Sequence, residues 1–271
     1  MTNSNELEIL KGRLKSMWMA GDYGHFAKFL EPGAMPFLEA LDIRPGQRVL
    51  DVACGAGQLS LPAARAGAVV TGVDIATNLI EQARNRATEA GLPIEFMEGD
   101  AEALDQPDAS FDLVFSLIGA MFAPRPDRVS SELLRVCRPG GRIAMGNWTP
   151  NGFIGQMFKL TAGHVPPPPG MPSPVLWGVE ETVRARFATG LSDLVLSRKL
   201  YAVHYPFQPS EVVEFFREFY GPTNRAFAAL DESGQIALRK ALEAHWSAAN
   251  LGGSNETRVE AEYLEVLGVR A

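Results

Sequence analysis

Apolar residues in the first half of the chain fall into two alternating rhythms. Val49 to Val52, Val69 to Val73, Ile94 to Met97, Leu113 to Leu117 and Arg142 to Asn147 are short, nearly unbroken apolar runs, as expected of strands buried on both faces. Between them, 58–66, 77–90 and 127–136 carry the spacing of helices. Strand and helix in alternation predict a mainly parallel sheet covered on both sides, an α/β doubly wound fold. Pro62 suits the first of these helices if it begins near Leu59, because proline is tolerated in a first turn.

On either side of this core the pattern changes. Leu7, Leu10, Leu14, Met17 and Trp18 recur at helical spacing, Gly21 to Gly24 interrupts them, and a second short apolar run covers Phe26 to Leu30. Two helices over the sheet are expected, followed by a helix end at Pro36 to Leu41 and a turn at Asp42 to Gly46. After Thr149 the periodicity lapses, and Val165 to Pro174 is too rich in proline for a helix or an inner strand. Long connections of this kind serve as lids or linkers. Phe153, Met157, Phe158, Met171 and Trp177 punctuate it, which favours a lid. Beyond it, a helix is expected over 180–187, a strand over 194–205, a helix over 211–220 capped by Ser210, one long helix over 227–249, and a last strand over 260–269. We expect one domain, 1–271: an N-terminal cover (1–35), a cofactor-binding core (36–148), and a remainder (149–271) of lid, cover helices and final strands.

The first strand runs into Asp51-Val52-Ala53-Cys54-Gly55-Ala56-Gly57 and then directly into a helical pattern. Gly55 and Gly57 lack a Cβ, so their backbone can take positive φ and admit a ligand close to bare amides at a helix start. About twenty residues on, the second strand ends in Asp74, at the spacing where doubly wound sheets place a carboxylate that accepts from ribose hydroxyls. Turn and acid together indicate a nucleoside cofactor. A dinucleotide fingerprint laid on Gly55 and Gly57 would need glycine at position 60, which is Ser60.

These residues resemble the class I S-adenosylmethionine-dependent methyltransferases, in the branch of small-molecule enzymes similar to those that methylate quinone precursors. Asp51-x-Ala53-x-Gly55-x-Gly57 resembles the family's glycine turn, with Ala53 at its first glycine. Asp74 matches its ribose acid and Ile75 the residue that packs on adenine. Gly99-Asp100-Ala101 resembles the loop whose acid receives the adenine amino group. Phe111 to Ser116, then Leu133 to Arg142, resemble the fourth strand, its helix and the turn into the fifth. The resemblance implies a seven-stranded sheet with a final antiparallel pair. It also implies S-adenosyl-L-methionine as cofactor, with contacts from Asp51, Ala53, Gly55, Gly57, Asp74, Ile75, Asp100, Ala101 and Ser116, and from Tyr23 in the N-terminal cover.

Composition narrows the partners. The net charge of −7 argues against nucleic acid, whose affinity comes largely from basic side chains, and against an anionic membrane surface. No run approaches a membrane span and no signal peptide is evident, so a cytoplasmic location is expected. Two cysteines, Cys54 and Cys137, make neither a disulfide framework nor a zinc site. Catechol-type relatives hold a cation with carboxylates at the ends of strands four and five; Ser116 and Asn147 stand there, so no metal is expected. A small-molecule acceptor is expected, apolar or aromatic, held by Met121, Phe122, Trp148, Phe153 and Trp177. Methyl transfer needs no universal base; among His25, His164, His204 and His245, His164 is the candidate to test first. A nicotinamide oxidoreductase and a non-catalytic nucleoside-cofactor-binding protein remain the alternatives.

Overall fold

The computed structural model describes residues 4–271; the first three residues of the expected N-terminal cover lie outside them. Among the described residues the chain divides into two compact units, each built from three stretches. A sheet-bearing unit comprises 34–150, 172–199 and 263–271, and a helical unit comprises 4–33, 151–171 and 200–262. The helices are α1 (Ser4–Trp18), α2 (Tyr23–Ala27), α3 (Glu31–Ala40), α4 (Ser60–Arg65), α5 (Thr77–Glu89), α6 (Pro126–Val136), α7 (Phe153–His164), α8 (Glu180–Arg186), α9 (Pro209–Phe219), α10 (Gly221–Ala228) and α11 (Glu232–Ala249). The strands are β1 (Arg48–Val52), β2 (Val69–Asp74), β3 (Glu95–Glu98), β4 (Phe111–Leu117), β5 (Cys137–Trp148), β6 (Leu191–Tyr205) and β7 (Thr257–Arg270). None of the described helices is long and apolar enough to cross a membrane.

The strands form one sheet in the order β3-β2-β1-β4-β5-β7-β6. β1 pairs in parallel with β2 and β4, β2 with β3, and β4 with β5, while β7 runs antiparallel along β5 from Arg142↔Val269 to Trp148↔Tyr263. The order reverses between β1 and β4, and doubly wound sheets hold ligands at that reversal, outside the carboxyl ends of the strands. Register sorts the side chains. Asp51, Gly72 and Phe96 pair across β1, β2 and β3 and so share one face, where Cys54, Leu61, Ile80, Ala83, Ala87 and Phe96 form a core under α4 and α5. The β4-to-β5 crossover moves the other way across the sheet, so α6 covers the opposite face. Val129, Leu133 and Val136 of α6 are buried there, at helical spacing.

Local chemistry explains where elements begin and end. α4 starts at Ser60, which puts Pro62 in its first turn. α9 starts earlier than the expected Ser210 cap: Pro209 occupies its first turn, and Gln208 and Glu211 form a reciprocal capping box. The single helix expected over 227–249 is two, because Asp231 accepts from the Gly234 amide at 2.8 Å and opens a new helix. α7 lies where no periodicity was expected, since Gly155 and Gly163 dilute its apolar stripe.

The helical unit is held by an aromatic cluster. Phe26 stacks on Tyr220 at 4.9 Å and meets Phe216 edge-on at 4.7 Å; Tyr205 lies 5.9 Å from Trp246. Such ring pairs add about 0.5–1.5 kcal/mol each beyond the area they bury.

Candidate active site

β1 ends in a turn whose backbone alternates in hand. Ala53, Gly55 and Gly57 have φ of 58°, 56° and 78°. At Gly57 a Cβ would lie 2.8 Å from the tip of Leu61 and 3.0 Å from the tip of Phe96, so a side chain there would have to displace both. Ala53 occupies the left-handed region with a side chain, at a cost of roughly 1–2 kcal/mol. Asp74 fastens β2 to this turn: its Oδ2 accepts from the Gly55 amide at 2.8 Å and its Oδ1 from the Ala76 amide at 2.8 Å. Burial pushes the Asp74 carboxyl up, and the amides of Ala76, Gly55 and Ile75 pull it back. A carboxylate offers about four acceptor directions, so capacity remains for a ribose hydroxyl. Turn and acid therefore fit a nucleoside cofactor.

Two residues beyond the sequence motifs support this turn. Ser60 donates to Asp51 Oδ2 at 2.6 Å, tying β1 to α4. Asp51 is buried, and that burial raises its carboxyl to about 7 against the lowering effect of Ser60, with the Asp74 charge adding to the rise. Arg86 of α5 donates to the Ala56 carbonyl at 2.9 Å, a contact no local pattern announces. Asp100 accepts from the Glu102 amide at 2.9 Å, and Ala101 follows it half-buried. Glu102 is itself buried and accepts from the Arg125 backbone and guanidinium at 2.5 and 2.7 Å, which anchors the loop beside α6.

At the end of β4, Ser116 donates to the Val52 carbonyl at 2.7 Å and accepts from the Ala120 amide at 2.9 Å. Its hydroxyl thus joins β1 to the 3-10 turn of 120–122. Ile118, a β-branched residue, is held at φ 55°, and strain of that kind clusters at functional sites. Gly119 follows, and a Cβ there would lie 2.6 Å from Ala53 Cβ and 2.7 Å from its carbonyl oxygen. The Ala53 methyl therefore packs beneath Gly119.

Of the expected acceptor residues, Met121, Phe122, Trp148 and Trp177 are in the sheet-bearing unit. Met121 and Trp148 are buried, and Phe122 is half-buried. Trp177 is buried beneath the Arg186 guanidinium, 4.2 Å above its ring. Phe153, Tyr23 and His164 are in the helical unit. Phe153 stacks on His245 at 4.4 Å, Tyr23 lies 5.8 Å from Trp18 and 6.3 Å from Tyr220, and His164 is the last residue of α7. His204 pairs with Glu256 at 3.0 Å and His25 lies 4.7 Å from Phe219.

A doubly wound sheet whose switch point carries a left-handed glycine turn and a buried acid at the end of the second strand fits a nucleoside cofactor. A family profile described as a methyltransferase domain matches residues 49–141. Protein Rv1403c of Mycobacterium tuberculosis is 42% identical over 221 residues, covering 81% of each chain. Methyltransferase GfsG of Streptomyces halstedii is 38% identical over 119 residues, 43% of each chain. Phosphoethanolamine N-methyltransferase 2 of Haemonchus contortus, solved with S-adenosyl-L-methionine, shares the fold at TM-score 0.54 and 20% identity, covering 87% of this chain and 51% of that one. Residues 49–141 belong to the methyltransferase domain family, with S-adenosyl-L-methionine as the cofactor. That membership selects the methyltransferase reading over the nicotinamide one.

Proposed function

We propose that the protein methylates a small acceptor that is apolar or aromatic around its reacting atom. Asp74 holds the cofactor ribose, Asp100 and Ala101 meet the adenine with Ile75 packed on it, and Asp51, Ala53, Gly55, Gly57 and Ser116 frame the methionine end. Met121, Phe122, Trp148 and Trp177 hold the acceptor. The observation that carries this reading is the contact of Gly119 with Ala53, because it starts the Met121–Phe122 backbone against the cofactor turn.

S-adenosylmethionine, when bound, supplies an electrophilic methyl group on a positively charged sulfur. The chain's part is to align a nucleophile and keep water out, and alignment alone is worth about 7–11 kcal/mol of barrier at best. Apolar walls suit that task, and the net charge of −7 favours a small acceptor over a polyanion.

The test is a methyl-transfer screen over phenols, thiols, amines and quinols, read by formation of S-adenosylhomocysteine, beside thermal unfolding with S-adenosylhomocysteine or NADH. Turnover should concentrate in aromatic members, and S-adenosylhomocysteine but not NADH should raise the melting temperature. Turnover confined to charged, non-aromatic acceptors would refute the acceptor class.

A further inference from the structure

We propose that Asn147, at the carboxyl end of β5, is the residue that recognises the polar end of the acceptor, with the Trp177 indole N–H as a second donor beside it. The proposal rests on the acceptor site given above and adds what that site selects. Asn147 is 1% exposed, yet neither Oδ1 nor Nδ2 has a hydrogen-bond partner among the described residues. Trp177 is also 1% exposed, and its Nε1 is likewise unpartnered. Buried polar groups are nearly always matched, and an unmatched one lowers stability, so each such group calls for an explanation. Stability given up at a site is commonly recovered when a ligand binds.

The backbone segments that carry both groups meet at one strand end. The residue before Asn147, Gly146, accepts from the Ile118 amide at 2.8 Å, and Ile118 leads into the Gly119 that packs on Ala53. Only β4 lies between β1 and β5, so Asn147 is about 10 Å across the sheet from the cofactor turn. Asn147 shares a face of the sheet with Met145, and Met145 pairs with Ser116, whose hydroxyl opens the turn carrying Met121 and Phe122. A 3-10 turn, Pro174–Gly178, brings Trp177 to the same strand end. At Gly178 a Cβ would lie 2.2 Å from the Trp148 carbonyl oxygen and 2.6 Å from Thr149 Cα.

The chemistry of the pair names a class of acceptor. A carboxamide both donates and accepts, whereas an indole N–H only donates. Their joint complement is a group with one donor and at least two acceptor lone pairs: a phenol or enol hydroxyl with a carbonyl next to it. A site built to match such a group discriminates strongly against analogues that lack it, because its own polar atoms are then left unmatched.

The experiment compares wild type with Asn147→Leu, which keeps the branched shape without polar atoms, and with Asn147→Ala, which adds no volume. Melting temperature, S-adenosylhomocysteine affinity, and methyl transfer to 2-hydroxyacetophenone (the phenol with its acetyl group in the ortho position), phenol, thiophenol and aniline are measured on each. Asn147→Leu should melt about 2–4 °C higher, or Asn147→Ala should at least match wild type. Affinity for S-adenosylhomocysteine should stay within two-fold, and turnover of 2-hydroxyacetophenone should fall at least ten-fold more than that of phenol. A lower melting temperature in both variants would show that the amide is structural, and a ten-fold loss of S-adenosylhomocysteine affinity would assign it to the cofactor; either overturns the proposal. Equal turnover of every acceptor by wild type and variants would also overturn it while leaving the methyl-transfer reading intact. If wild type methylates none of the four, the deciding result is binding: 2-hydroxyacetophenone must raise the melting temperature of the S-adenosylhomocysteine complex in wild type and not in Asn147→Leu, or the proposal falls.

Discussion

Gly119→Ala should damage cofactor binding although Gly119 is not itself among the residues expected to contact the cofactor. The new methyl would sit 2.6 Å from Ala53 Cβ and 2.7 Å from the Ala53 carbonyl oxygen, so one of the two turns must move by roughly an ångström. Overpacking at a close contact costs about 1–3 kcal/mol. For a chain of this length each kcal/mol lowers the melting temperature by about 2–4 °C. The turn that yields includes Ala53, and Gly55 is bonded through its amide to Asp74, so displacement should reach Asp74 and weaken S-adenosylhomocysteine by about ten-fold. A double variant gives the decisive comparison. Ala53→Gly removes the methyl contact but leaves the carbonyl contact, so Ala53→Gly with Gly119→Ala should recover part, not all, of both losses. The coupling should be about 0.5–3 kcal/mol, as for residues in direct contact. Calorimetry and thermal unfolding on the four proteins read this cycle. A Gly119→Ala protein with wild-type melting and affinity, or effects that simply add in the double variant, would refute the packing argument.

Asp51→Asn should change the pH dependence of stability. With its carboxyl raised from 3.8 to about 7, folded Asp51 keeps a proton that the unfolded chain has lost, so stability from this group falls as pH rises through that window. The cost builds from pH 3.8 and reaches its full value, up to about 4 kcal/mol, above pH 7, so the melting temperature of the variant should rise relative to wild type between pH 5 and pH 8; a difference that does not vary with pH would contradict the assignment. Asp74→Ala should weaken S-adenosylmethionine about ten- to a hundred-fold, and because it also strips the Gly55 and Ala76 amides of their acceptor it should lower the melting temperature, which circular dichroism would report. Trp177→Ala should cost about 3–5 kcal/mol through the cavity it leaves, whereas Trp177→Phe should keep melting within a few degrees and lose acceptor turnover; retained turnover in the phenylalanine variant would remove the indole N–H from the site.

The doubly wound core was legible from local pattern alone. Apolar runs of strand length, helical spacing between them, and Asp74 nineteen residues beyond Gly55 are properties of short stretches or of one fixed spacing. Gly55 and Gly57 could be read as left-handed because only backbone conformation was at stake, whereas the positive φ of Ala53 appeared only in the structure. Helix starts were less legible: Gln208 with Glu211 prevailed over the expected Ser210 cap, and Asp231 with the Gly234 amide opened a helix inside the expected 227–249 run, since a cap depends on which side chain reaches the free amides. α7 escaped because burial of Phe153, Ile154 and Met157 against a partner offsets what its glycines cost, and that partner is far away in the chain.

What only the tertiary structure decided is how distant groups are matched. No spacing in the sequence pairs Asp51 with Ser60, seats the Ala53 methyl under Gly119, or inserts β7 between β5 and β6. Nor could it mark Asn147 and Trp177 as buried without partners, because whether a polar atom is satisfied depends on every surface packed around it. Periodicity is a property of one segment, set by the geometry of a helix or a strand. Satisfaction and close packing belong to several segments at once and exist only after the chain has folded.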